Sequence, residues 1–129
     1  MYLADSHAHT SFSFDGENTP EEMCLACIKA GISEVAFTDH YEILPVFIDE
    51  RAVFDVGARL PEMKRLKEKY KDKLKVLSGI ELGEPSENTE EAADIIKKGN
   101  FDFVLASVHS LSGVGDFYFL DYGKIPDKY

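Results

Sequence analysis

Apolar residues along this chain fall into two alternating patterns: short runs of strand length, and longer stretches in which they recur at intervals of three and four. The short runs open the chain, then return at residues 33–37, 74–80 and 101–106, and each is read as a β-strand. Between them, residues 20–30, 52–71 and 88–99 carry helical spacing. Met23, Cys27, Ile28 and Ala30 form the expected buried stripe of the first helix, and Leu60, Met63, Leu66 and Tyr70 that of the second. Ala92, Ile95 and Ile96 supply the third.

Local stop and start signals agree with these boundaries. Thr19-Pro20-Glu21-Glu22 has the composition of a capping box with proline at the first helical position, and Gly31 fits a left-handed helix stop. Asn88 with Glu91 predicts a second cap, and Gly99 the end of that helix. Residues 41–51, mixed in polarity and containing Pro45, are expected to form an irregular loop. Strand alternating with helix implies right-handed crossovers and a mostly parallel α/β sheet, whose strand C-termini share one side, where ligands bind.

That topology gives meaning to the polar residues at the strand ends. Asp5, His7 and His9 are spaced by two, so an extended backbone points all three the same way. Taken alone, His-x-His is equally a polar strand end whose side chains cap turns. The chain has four histidines, His7, His9, His40 and His109, and each follows an expected strand, as does Glu81. Joined by Asp39 and Asp15, these imidazoles and carboxylates would meet in one pocket with a ligand set suited to Zn²⁺, Mn²⁺ or Fe²⁺.

Composition narrows the setting. At 129 residues the chain fits one domain, and 44% hydrophobic with 29% charged residues reads as a soluble, cytoplasmic protein with no membrane span. Twenty-four acidic against 14 basic residues give a net charge of −10, which argues against a broad grip on nucleic acid. It leaves room for an anionic substrate, because bound cations reverse the local sign. Cys24 and Cys27 form C-x-x-C, but inside a helix and without a second pair, so they read as small apolar residues rather than a redox or zinc motif. The charged run Lys64, Arg65, Lys67, Glu68 and Lys69 reads as a solvated helix face, and Arg51, Arg59 and Arg65, the only arginines, as surface residues.

Four motifs, Asp5-x-His7-x-His9-Thr10, Thr38-Asp39-His40, Gly79-Ile80-Glu81 and Ser107-x-His109, occur in the order and context of the polymerase and histidinol phosphatase (PHP) domain superfamily, which the chain resembles over its whole length. Within it, the chain looks most like the stand-alone histidinol-phosphatase branch. The resemblance implies a distorted (βα)7 barrel with two or three divalent metal ions at its C-terminal face. It makes His7, His9, His40, Glu81 and His109 metal ligands, with Glu81 bridging and Asp15 a further ligand. Asp5 and Asp39 would lie behind them and orient imidazoles. Glu81, His109 and, indirectly, Asp39 would carry the chemistry: hydrolysis of a small phosphate monoester, L-histidinol phosphate in histidine biosynthesis, by metal-activated hydroxide.

One departure qualifies the comparison. Members of that branch are about twice as long, and their later strands supply another histidine, an Asp-x-His pair and phosphate-holding arginines. The chain is therefore expected to be a single PHP-type domain, residues 1–129, lacking its C-terminal strands and helices, and to pair with itself or with that missing half. The alternatives are a PHP phosphoesterase acting on nucleotides or nucleic-acid ends, an amidohydrolase-type enzyme, and a non-catalytic metal-binding half-domain.

Overall fold

The computed structural model describes residues 1–44 and 54–124. Its elements are β1 (Ala4–Ala8), α1 (Pro20–Ala30), β2 (Glu34–Phe37), β3 (His40–Glu42), α2 (Val56–Tyr70), β4 (Lys75–Gly83), α3 (Thr89–Gly99) and β5 (Phe103–Ser107). A two-residue hairpin of β6 (Ser110–Leu111) and β7 (Gly115–Asp116) follows, then single 3-10 turns at Phe117–Phe119 and Tyr122–Lys124. Among the described residues no helix is long and apolar enough to cross a membrane.

β1 to β5 form one parallel sheet. β4 is its spine. Lys75 to Ser78 pair with β2, His40 to Glu42 of β3 pair with Glu81 to Gly83, and β5 lies along the other side of β4. β2 and β3 thus act as one strand interrupted at Thr38 and Asp39, so the loop expected from residue 41 begins with ladder pairing instead. Residues 45–53, with Pro45 and Arg51, lie outside the described residues.

The strand period of two sorts the side chains. Ala8, Val35, Phe37 and Val76 pack on Cys24, Cys27, Met63, Leu66 and Tyr70 of α1 and α2. Ile80 and Leu82 pack on Ala92 and Ile95 of α3 together with Ile43 and Phe54. The residues between them in sequence, His7, His40, Glu42 and Glu81, therefore face away from the helices. The expected stripe of α1 is shifted: Cys24 is fully buried whereas Ala30 is exposed. In α2 the buried row starts at Arg59, not at Leu60.

The local signals behave as their chemistry requires. The Thr19 and Glu22 capping box is formed in both directions, and Gly31 sits in the left-handed region at φ 76°. Asn88 caps α3, but the helix stop belongs to Asn100 at φ 44°, while Gly99 is the last helical residue. Glycine is required there for space, since a Cβ would fall 2.0 Å from the Phe101 ring.

Both cysteines are buried and unbridged. Burial pushes the Cys24 thiol up to about 12 and raises that of Cys27 as well. Because thiolate is the reactive form, Ellman's reagent should leave both thiols unmodified in the folded chain at pH 8 and titrate both after unfolding in guanidinium. Free-thiol kinetics in the folded chain would contradict this packing.

Candidate metal centre

β4 runs three residues further than its apolar core suggests, and that extension carries Glu81 past the ends of β1 and β2, beside the first residue of β3. The Glu81 carboxylate is buried, and the Nε2 atoms of all four histidines surround it. His7 Nε2 lies 2.7 Å and His9 Nε2 3.0 Å from Oε2, with His40 Nε2 at 3.6 Å from the same oxygen. On the other side His109 Nε2 lies 2.9 Å from Oε1, which also accepts a hydrogen bond from Ser107 Oγ at 2.9 Å. One carboxylate thus turns one oxygen to three imidazoles and the other to the fourth.

Three of the Nδ1 atoms have partners of their own. His9 Nδ1 meets Asp15 Oδ2 at 2.9 Å, and Ser13 Oγ donates to Asp15 Oδ1 at 2.5 Å. His40 Nδ1 lies 2.7 Å and His109 Nδ1 3.1 Å from Glu42 Oε1. Asp15 Oδ2 is also 3.6 Å from His40 Nε2. Three trios could hold a cation: His7, His9 and Glu81; His9, Asp15 and His40; His40, Glu42 and His109.

The carboxylates and imidazoles shift one another strongly. Burial works against the Glu81 charge, yet hydrogen bonds from His109 and His9 hold its carboxyl far below the usual range. His9 is raised to about 9: burial disfavours its charge, and Glu81 and Asp15 outweigh it. His109, bonded to Glu42 and Glu81, is raised to about 10. Glu42, buried but bonded to His109 and His40, is lowered to about 2. Concentrated negative charge with imidazole donors around it is what a divalent cation replaces protons on, so the donor set fits the metals expected from the sequence.

Two sequence-predicted residues sit differently. Asp5 is exposed and accepts the His7 backbone N–H at 3.1 Å, so its carboxylate steadies the register shift of β1 between Asp5 and Ala8 and not an imidazole. Asp39 is fully buried and also touches no imidazole. Its Oδ1 accepts from Thr10 N at 2.6 Å and Thr10 Oγ1 at 2.9 Å, and its Oδ2 from Arg59 Nε at 2.9 Å. Arg59 is no surface residue: it is 1% exposed, donates also to Ser78 Oγ and Phe37 O at 2.8 Å each, and sits 5.6 Å from the centroids of both the Phe54 and Phe101 rings. Arg65 stays on the surface, paired with Glu21 and Glu62. Because Thr10 follows His9 and Asp39 precedes His40, this buried group fixes two of the imidazoles through the backbone.

Glu42 was not among the candidates from sequence. The available signal was its i, i+2 spacing from His40, the spacing that joins His7 to His9. Above the cluster opens a cavity of 840 Å³ whose lining also includes Phe14, Val108, Phe117, Tyr118 and Phe119.

Comparison with known proteins places this arrangement. The chain is 32% identical over 114 residues to the histidinol-phosphatase of Lactococcus lactis, covering 88% of this chain and 42% of that protein. A probable histidinol-phosphatase of Clostridium acetobutylicum is 33% identical over 124 residues, 96% of this chain and 46% of that one. A crystal structure of the Lactococcus lactis histidinol phosphate phosphatase complexed with zinc, L-histidinol and phosphate superimposes with a TM-score of 0.79 at 28% identity, over 92% of this chain and 46% of that chain. The chain spans less than half the length of these relatives. The sheet and its rim match part of that fold, and the PHP domain model matches residues 5–128: the chain belongs to the PHP domain family.

Proposed function

We propose that the rim is the metal-binding portion of a phosphoesterase site that hydrolyses a small phosphate monoester of the histidinol phosphate class. The observation that carries this reading is the convergence of four Nε2 atoms on the two oxygens of one buried carboxylate. His7, His9, His40, Glu81 and His109 would hold the cations, Glu81 shared between two of them, with Asp15 against His9 and His40. Bound divalent cations would supply water activation at neutral pH and charge neutralisation of the phosphoryl oxygens.

What the chain itself contributes is orientation and enclosure. None of the described residues lining the cavity is lysine or arginine, so among them a phosphate meets no fixed cation. Glu42 and Asp15 hold the imidazoles by their Nδ1 atoms. Phe14, which lies 4.9 Å from the His40 ring, joins Val108, Phe117 and Phe119 in an apolar lining that suits an imidazole-sized organic group.

Phosphate release from L-histidinol phosphate, measured with elemental analysis on the same preparation, tests the proposal. Bound Zn, Mn or Fe in stoichiometric amount, release that stops with a chelator and returns with the metal are expected. Stoichiometric metal without turnover of any phosphate monoester would reduce the chain to a metal-binding half-domain, and turnover confined to oligonucleotide ends would move it to a nuclease.

A further inference from the structure

His40 opens β3 and His109 lies in the loop after β5, 69 residues on in sequence, yet their Nδ1 atoms meet one and the same oxygen, Glu42 Oε1, at 2.7 and 3.1 Å. Their rings stand 5.0 Å apart and nearly perpendicular, so a single carboxylate can accept from both. Glu42 is well placed to stay fixed. It ends β3, its side chain is 6% exposed, and it stands opposite Gly83 of β4 in the parallel register. Its carboxylate occupies the space that a Cβ on Gly83 would take, 1.8 Å from Oε2. Behind it Glu84, held at φ 51°, uses Oε1 to accept the backbone N–H groups of His109 and Ser110 at 2.6 and 2.8 Å, which anchors the loop that carries His109.

An imidazole that binds a cation through one nitrogen carries its proton on the other. His40 and His109 both turn Nε2 toward Glu81 and Nδ1 toward Glu42. We propose that Glu42 is a shared positioning residue: one oxygen holds the Nδ1–H groups of His40 and His109 together, fixes both ring orientations, and so presents both Nε2 lone pairs to the cavity. The same three residues could instead form a cation site of their own, with Glu42 and both Nδ1 atoms as ligands. The two arrangements differ in which nitrogen is metallated. The cation-dependent half of the proposal rests on the metal reading above, but the Nδ1–H hydrogen bonds do not.

The test uses the full chain with ¹⁵N-labelled histidine. In metal-free protein, His40 and His109 should show downfield, slowly exchanging Nδ1–H resonances that vanish in Glu42→Ala. After loading with ¹¹³Cd²⁺, long-range correlation should place the metal on Nε2 of both rings. Glu42→Gln, which keeps size and loses charge, should lower cadmium affinity by the roughly 10- to 100-fold typical of lost orienting partners. Gly83→Ala, which displaces the carboxylate without altering it, should act in the same direction, with unfolding curves showing that both variants fold. Metallation at Nδ1 overturns the proposal, as do Nδ1–H signals that persist in Glu42→Ala or a cadmium affinity unchanged in Glu42→Gln. If wild-type chain binds no cadmium, the metal reading fails while the metal-free resonances still decide whether Glu42 holds both rings.

Discussion

Arg59→Met should lower the unfolding free energy by about 3–5 kcal/mol, the cost of leaving one member of a buried ion pair without its partner. Methionine still packs against Phe54 and Phe101 but leaves the fully buried Asp39 Oδ2 without a donor, and removes the donors to Ser78 Oγ and Phe37 O. Against a typical domain stability of roughly 5–15 kcal/mol, that is a large fraction of the total. Arg59→Lys should fall in between, because an ammonium can reach Asp39 but cannot reproduce the planar fork that serves three acceptors at once. In the double variant Arg59→Met with Asp39→Asn the charge imbalance is removed, so part of the loss should return. Urea unfolding followed by circular dichroism reads all three. An Arg59→Met midpoint equal to wild type, with the same slope, would mean that Asp39 is not held as described.

The same residue shows where sequence reading stops. The row Arg59, Met63, Leu66 and Tyr70 has helical spacing, but a guanidinium at its head reads as buried only once its carboxylate is known to lie beside it, and Asp39 is 20 residues earlier. Cap chemistry was legible because it is local: Thr19 and Glu22 lie three residues apart and satisfy each other's backbone, and Asn88 at the same spacing accepts the Glu91 backbone N–H. The rim was legible too, since each histidine follows an apolar run and parallel topology sends those ends to one side. β3 was not, because three residues are too few to show alternation and its ladder partners Glu81 to Gly83 are some forty positions away. Missing β3 hid Glu42, whose spacing from His40 matters only in an extended strand. The motif resemblance puts Asp39 behind the imidazoles, whereas its contacts are to Thr10 and Arg59, and it acts on His9 and His40 through their neighbours.

Glu81→Gln should weaken cation binding by more than the roughly 10- to 100-fold that loss of an orienting partner costs a metal site, because Glu81 faces all four Nε2 atoms. Glutamine keeps one acceptor oxygen but brings an NH₂ group against imidazoles and removes the charge that draws a cation in. The pH dependence separates this electrostatic role from a packing role. In the metal-free chain His9 and His109 are raised to about 9 and about 10, above the ordinary value near 6.5. Their charged contacts with Glu81 therefore stabilise the fold fully below about pH 6.5, and that contribution is lost as pH rises through 9 and 10. Cation binding at Nε2 must expel those protons, so zinc affinity of the wild-type chain should climb with pH across the same window, with acid released into a weakly buffered solution at pH 7. In Glu81→Gln both imidazoles should titrate closer to their ordinary value, so the proton release should shrink and the alkaline loss of metal-free stability should flatten. Isothermal calorimetry in two buffers of different ionisation heat, with thermal melts from pH 6 to 10 in chelator, measures both. Wild-type zinc affinity and proton release in Glu81→Gln would remove Glu81 from the centre of the site.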